Sequence, residues 1–306
     1  MVDDEKIFSG INELPLGYAS EKQTKGCLVL EGGAFRAIYA EGVIDYLQQQ
    51  DINFECVIGV SAGAMNGYNY VAGQIGRSAR INLRYRHDHN YVGIKPLVKD
   101  RGVLGFNYIF GDLEHVEPFD FKRFEDPKWR FVVVATDVNT GLTKYFEKGQ
   151  DGIDIPLCIK ASASMPYVSK PVEVGDSVYL DGGCSCNIPY QWAIDQGYEK
   201  IVVVKTRDEK YRSEPMSNKQ TLIIDRLYRN YPQFCAGMKN MNNRYNAECD
   251  ELERLDKEGR VFVVAPSRPI NIGRLEPDME KLGRLYYLGR KDIIKKWDAL
   301  QAYLNK

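Results

Sequence analysis

The chain has 306 residues, 44% of them hydrophobic and 27% charged, enough for one large core or one domain with a smaller attachment. Its 41 basic and 42 acidic residues leave a formal net charge of −1, which excludes a dedicated electrostatic binder of nucleic acid or of an anionic membrane. Seven cysteines, set mostly in apolar runs, read as buried free thiols of a reducing compartment rather than a disulfide framework. With an acidic first segment that has no apolar core, the expected location is cytoplasmic.

Residues 27–30 are apolar and predict a first strand. After a turn at Gly32-Gly33, Ala40, Val43, Ile44 and Leu47 recur at helical spacing and make one buried stripe. Residues 56–60 predict the next strand, and 62–72 a helix of small residues. The low-charge stretch 56–74 is broken by asparagines and glycines, so it reads as strand–turn–helix and not as a membrane span. Residues 131–136 form a continuous apolar run, as expected of a strand covered on both faces. Asn139-Thr140-Gly141 turns the chain toward a strand at 142–146. Residues 170–174 and 177–180 flank Gly175-Asp176, a hairpin signal. Residues 201–205 predict the last strand of this body.

Strands alternating with helices predict an α/β fold with a mainly parallel central sheet between helical layers. From about residue 207 the pattern becomes helical and rich in Tyr, Asn, Arg and Lys, with one apolar run at 261–265. The expected organisation is therefore a main domain at 1–207 and a mainly helical C-terminal extension at 208–306 packed on it.

The strongest chemical signal is Gly59-Val60-Ser61-Ala62-Gly63, between a predicted strand and a predicted helix. A serine on such a sharp turn presents its hydroxyl at the carboxyl end of the sheet, and larger flanking residues would clash there. The competing reading is a Gly/Ser helix cap, which the strand-before, helix-after context disfavours. A nucleophilic serine needs a base, and His87, His89 and His115 are the only histidines. An α/β-hydrolase triad runs serine, acid, histidine, and here it would be crowded between Ser61 and His115. A different base is needed, and Asp181, in Leu180-Asp181-Gly182-Gly183 at a strand end, is the best candidate. Taken alone, Asp-Gly-Gly is more often a turn. The third element, Glu31-Gly32-Gly33-Ala34-Phe35-Arg36, can offer the amides of Gly33 and Ala34 to a developing oxyanion. A phosphate-cradling loop is the weaker reading, because Ala34 and Ala37 stand where G-x-G-x-x-G requires glycine.

Together these elements resemble the patatin-like phospholipase family. Its glycine-rich loop, G-x-S-x-G and Asp-Gly-Gly motifs correspond to Gly32-Gly33-Ala34-Phe35-Arg36-Ala37, Gly59-Val60-Ser61-Ala62-Gly63 and Asp181-Gly182-Gly183. Ala161-Ser162-Ala163-Ser164-Met165-Pro166, ahead of the hairpin, also looks like that family, and the match covers about 25–205. The resemblance implies a Ser61–Asp181 dyad that cleaves lipid acyl esters through an acyl-enzyme. It implies Gly33 and Ala34 as oxyanion donors and Arg36 as an organiser of the loop, with no metal or organic cofactor. Ala34 and Ala37 replace family glycines, and oxyanion stabilisation survives if the turn needs no positive φ there.

The expected partner is a lipid or other acyl ester, with transient membrane-surface contact and no nucleic acid. Alternatives are a carboxylesterase or thioesterase for small soluble esters, and a non-catalytic lipid-binding protein with a decayed site. His87-Asp88-His89 reads as a solvated turn rather than a metal site, and Cys184-Ser185-Cys186 as packing rather than a redox pair. Residues 91–110 mix apolar side chains, lysines and glycines, which suits either a mobile cap over the acyl pocket or an ordinary packed connection.

Overall fold

A computed structural model of the protein describes residues 6–306. Its main sheet has eight strands: β1 (Thr24–Leu30), β2 (Phe54–Val60), β3 (Arg130–Asp137), β4 (Thr143–Glu147), β5 (Val172–Val174), β6 (Ser177–Asp181), β7 (Ile201–Val204) and β8 (Phe262–Val264). Their order is β8-β7-β1-β2-β3-β6-β5, with β4 also paired to β3. The run from β8 to β3 is parallel, whereas β4, β5 and β6 pair antiparallel. Parallel neighbours require crossovers, which α1 (Ile38–Gln49) supplies between β1 and β2. The helices α2 (Ala62–Val71), α3 (Ile155–Ser162), α4 (Met241–Lys257) and α5 (Met279–Lys295) complete the main frame.

The central strands are apolar on both faces because both faces are covered. Leu28, Leu30, Val57 and Val133 pack into the cluster that holds α1, α2 and α5. Val29, Ile58, Val60 and Val134 face the opposite cluster, with residues of helix Tyr190–Asp195 and of α4. This is a three-layer α/β/α arrangement with a mainly parallel centre, as the sequence predicts. The α1 and α5 backbones touch: a side chain at Gly42 would overlap the Tyr286 carbonyl, and one at Gly289 the Tyr39 carbonyl. The helices Asn218–Leu227 and Pro232–Lys239 set Ile224, Phe234 and Met238 against Leu180 and Val138, beside the β5–β6 hairpin.

One expectation needs correction. The strand at 201–204 is not the last of the sheet, because the apolar run at 261–265 forms β8 and pairs in parallel with β7, Val263 opposite Val203. A three-residue strand amid helical segments carries no local sign of which strand it will join. Residues 91–110 fold as two short helices, Ile94–Lys99 and Phe106–Ile109, joined by a bridge between Val92 and Leu104. Tyr91, Phe106 and Ile109 point inward, whereas Ile94 and Val98 are 81% and 76% exposed. No helix among the described residues is long and apolar enough to cross a membrane.

Candidate active site

Strand β2 ends at Val60, α2 begins at Ala62, and Ser61 alone makes the turn, at φ 56° and ψ −125°. Serine reaches that backbone region only when its surroundings force it. Here the first turn of α2 presses on the end of β1, and a side chain at Gly63 would overlap the Leu30 carbonyl. The Ser61 amide donates to the Ser162 hydroxyl at 2.8 Å, which in turn donates to the Val134 carbonyl at 2.5 Å. Ser162, at the end of α3, thus fixes the turn to β3.

Strand β3 also brings the second residue. Its Val134 lies opposite Val60, and its next residue, Ala135, lies opposite Asp181 at the end of β6. The Ser61 hydroxyl donates to Asp181 Oδ2 at 2.7 Å, and the Gly183 amide donates to Oδ1 at 2.8 Å. The Asp181 amide is held by the Ser164 carbonyl at 2.9 Å, and its carbonyl accepts from the Thr136 hydroxyl at 2.9 Å. Burial raises the Asp181 carboxyl above its ordinary range, opposed by the Ser61 and Gly183 hydrogen bonds and by Arg274. A buried carboxylate of raised basicity that already accepts a hydroxyl proton is fit for general-base work.

The glycine loop runs directly over Ser61, since a Cβ at Gly32 would stand 3.1 Å from that of Ser61. Gly33 has φ 154° and Ala34 φ 50°. The turn therefore does require a positive φ at Ala34, which costs an alanine about 1 kcal/mol that a glycine would avoid. No hydrogen bond to a described residue occupies the Gly33 or Ala34 amide. The loop is braced from β7 by Thr206, whose hydroxyl donates to the Gly32 carbonyl at 2.7 Å and whose amide donates to Glu31. The other Glu31 oxygen accepts from the Tyr245 hydroxyl of α4 at 2.9 Å. Sequence reasoning names Glu31 only as the first residue of the loop and misses Thr206 and Tyr245, which belong to no short motif. Arg36 lines the cleft, and its Nε is buried without a hydrogen-bond partner.

These parts line an open cleft, whose wall includes Met238, Met241 and Tyr245 of the C-terminal region. A smaller hollow shares Ala34 and Met165 with it and runs past Ala62 and Met65 to Tyr91 and Leu104. The three histidines do not line the cleft, and His87 instead bonds the Pro277 carbonyl at 2.8 Å. Burial pushes the Cys184 and Cys186 thiols up, so both stay protonated. Among the described residues no group of three or more His, Cys, Asp or Glu could hold a metal ion.

Residues 28–194 match the model of a family described as patatin-like phospholipase, and residues 231–305 match a domain of unknown function, DUF6363. An uncharacterized Escherichia coli K12 protein, YjjU, is 24% identical over 91% of this chain and 79% of its own length. The lysophospholipase NTE1 of Meyerozyma guilliermondii is 24% identical over 82% of this chain, which spans only 16% of that protein. A probable lipid hydrolase, 463L, of Invertebrate iridescent virus 6 is 23% identical over 65% of this chain and 76% of its own. The crystal structure of VipD from Legionella pneumophila shares the fold, with a TM-score of 0.50 over 98% of this chain and 72% of that one, at 15% identity.

Proposed function

Because the chain belongs to the patatin-like phospholipase family, we propose that it hydrolyses lipid acyl esters with Ser61 as nucleophile and Asp181 as base. The observation that carries the reading is the 2.7 Å hydrogen bond from the Ser61 hydroxyl to a buried carboxylate at the floor of an open cleft. Ser61 Oγ attacks the ester carbonyl while its proton passes to Asp181 Oδ2. Negative charge gathers on the carbonyl oxygen beside the Gly33 and Ala34 amides and the amino-terminal end of α2. Asp181 returns the proton to the departing alcohol, leaving an acyl-Ser61 ester. A water then attacks that ester with Asp181 again taking the proton, which frees the fatty acid and Ser61.

The apolar lining of the hollow beyond Ala34 and Met165 supports an apolar acyl group on that side of Ser61. Relatives named as a lysophospholipase and a probable lipid hydrolase support a lipid ester as the substrate. A fluorophosphonate probe tests the dyad. The wild type is expected to be labelled, Ser61→Ala not at all, and Asp181→Asn at a rate lower by about a hundredfold or more. A folded wild type that resists the probe would leave the chain a lipid-binding protein instead.

A further inference from the structure

We propose that Arg36, Arg207 and Arg274 form an anion subsite beside the dyad, which selects esters whose alcohol portion carries a phosphate of net negative charge. The proposal rests on the hydrolase reading for its catalytic consequence and on the cleft itself for its ligand. The three guanidiniums reach one cleft from three separate segments. Arg207 and Arg274 lie outside residues 28–194, so the family match assigns them no role.

Arg274 and Arg207 are tied to the fold by contacts that leave guanidinium donors over. The Arg274 carbonyl accepts from the Phe35 amide at 3.3 Å, which ties its loop to the glycine loop. The following residues are gripped from the other side: Arg86 donates to the Leu275 and Glu276 carbonyls at 2.5 and 2.9 Å, and the His87 ring meets the Pro277 carbonyl. Arg207 spends one nitrogen on the Ile270 carbonyl at 3.2 Å and stacks over Tyr211 at 4.3 Å. Arg36 keeps its Nε buried and unpartnered.

The two acids that line the cleft, Glu31 and Asp181, take their hydrogen bonds from other groups and not from the guanidiniums. Glu31 is taken up by the Thr206 amide and the Tyr245 hydroxyl, and Asp181 by Ser61 and the Gly183 amide. Burial, then the charges of Arg207 and Arg274, push Arg36 down to about 10, so it stays a cation at neutral pH. Three cations line the cleft against two carboxylates, Glu31 and Asp181, and a phosphate accepts bidentate bonds from such guanidinium forks. A phosphomonoester, close to doubly charged at neutral pH, meets that need best. A phosphocholine group would bring a cation into a cleft with no uncommitted carboxylate.

The test uses lysophosphatidate, lysophosphatidylcholine and monoacylglycerol of one acyl chain as substrates, with Arg274→Gln and Arg207→Gln as variants. Arg36→Gln is avoided because Arg36 sits in the glycine loop. The wild type is expected to favour lysophosphatidate in kcat/KM, and each substitution to shrink its advantage over monoacylglycerol by about tenfold. Equal turnover of all three by the wild type overturns the subsite and leaves the hydrolase standing. Calorimetry on Ser61→Ala separates the two readings, because it needs no turnover. Lysophosphatidate binding that weakens about tenfold with Arg274→Gln supports the subsite even if no ester is cleaved. Inorganic phosphate binding as tightly as lysophosphatidate would make this a free-phosphate site and sink the headgroup assignment.

Discussion

At the scale of one residue, Asp181, the proposed base, opposes the fold that holds it. Burial raises its carboxyl pKa, so the folded protein binds its proton more tightly than the unfolded chain does. The stability such a group contributes is complete at low pH and is lost as pH rises through the folded value. Asp181→Asn keeps an acceptor for the Gly183 amide and carries no charge. That variant is expected to melt above the wild type at about pH 8, with the gap closing near pH 4. Wild-type kcat/KM is expected to fall as pH drops through a value above the ordinary aspartate range, because the base must be ionised. An asparagine variant that melts lower at the alkaline end would refute the burial penalty. Ser61 and Asp181 were legible because sharp turns impose glycines within a few positions. Thr206 and Tyr245, and the bracing they give Glu31, were not, because those bonds span the fold. The positive φ of Ala34 was equally hidden, since an alanine in a short loop does not announce its backbone angle.

Elements were readable where burial left a periodic trace. β1, β2, β3 and β7 are covered on both faces and read as apolar runs, and α1 shows its stripe. β8 left an apolar run at 261–265 as well, but a run that short is consistent with several environments and does not say which strand it joins. The helix Ile94–Lys99 lies between these cases: its exposed Ile94, Leu97 and Val98 sit among Lys95 and Lys99. It adjoins the 165–170 loop, where the Arg101 carbonyl accepts from the Lys170 amide at 2.9 Å, and Leu104 lines the smaller hollow. Apolar side chains ringed by lysines suit contact with a lipid surface. Ile94→Asp with Val98→Asp is expected to cut hydrolysis of lipid in anionic vesicles by about tenfold or more. Turnover of a short soluble ester should change far less. Equal loss on both substrates would make the helix a structural support.

At the scale of the whole molecule, the last hundred or so residues matter more than an attachment packed on a finished domain would. They provide β8 as an edge strand and α5 as the partner of α1, with Gly42 and Gly289 set for close backbone contact. They also furnish the Tyr245 bond that braces the glycine loop and one wall of the cleft. A chain ended after residue 207 would expose the β7 edge and the apolar face of α1, both of which favour aggregation. It would also leave Glu31 buried without its hydroxyl donor, at a cost of about 1–3 kcal/mol. Such a fragment is expected to be insoluble, or to unfold without a cooperative transition and without fluorophosphonate labelling. A sharp melting transition together with labelling of Ser61 in the fragment would show that the first 207 residues fold and work alone. The coupling points the other way: the segment that closes the sheet also carries the arginine and tyrosine that face the dyad, so changes there should alter substrate choice and stability together.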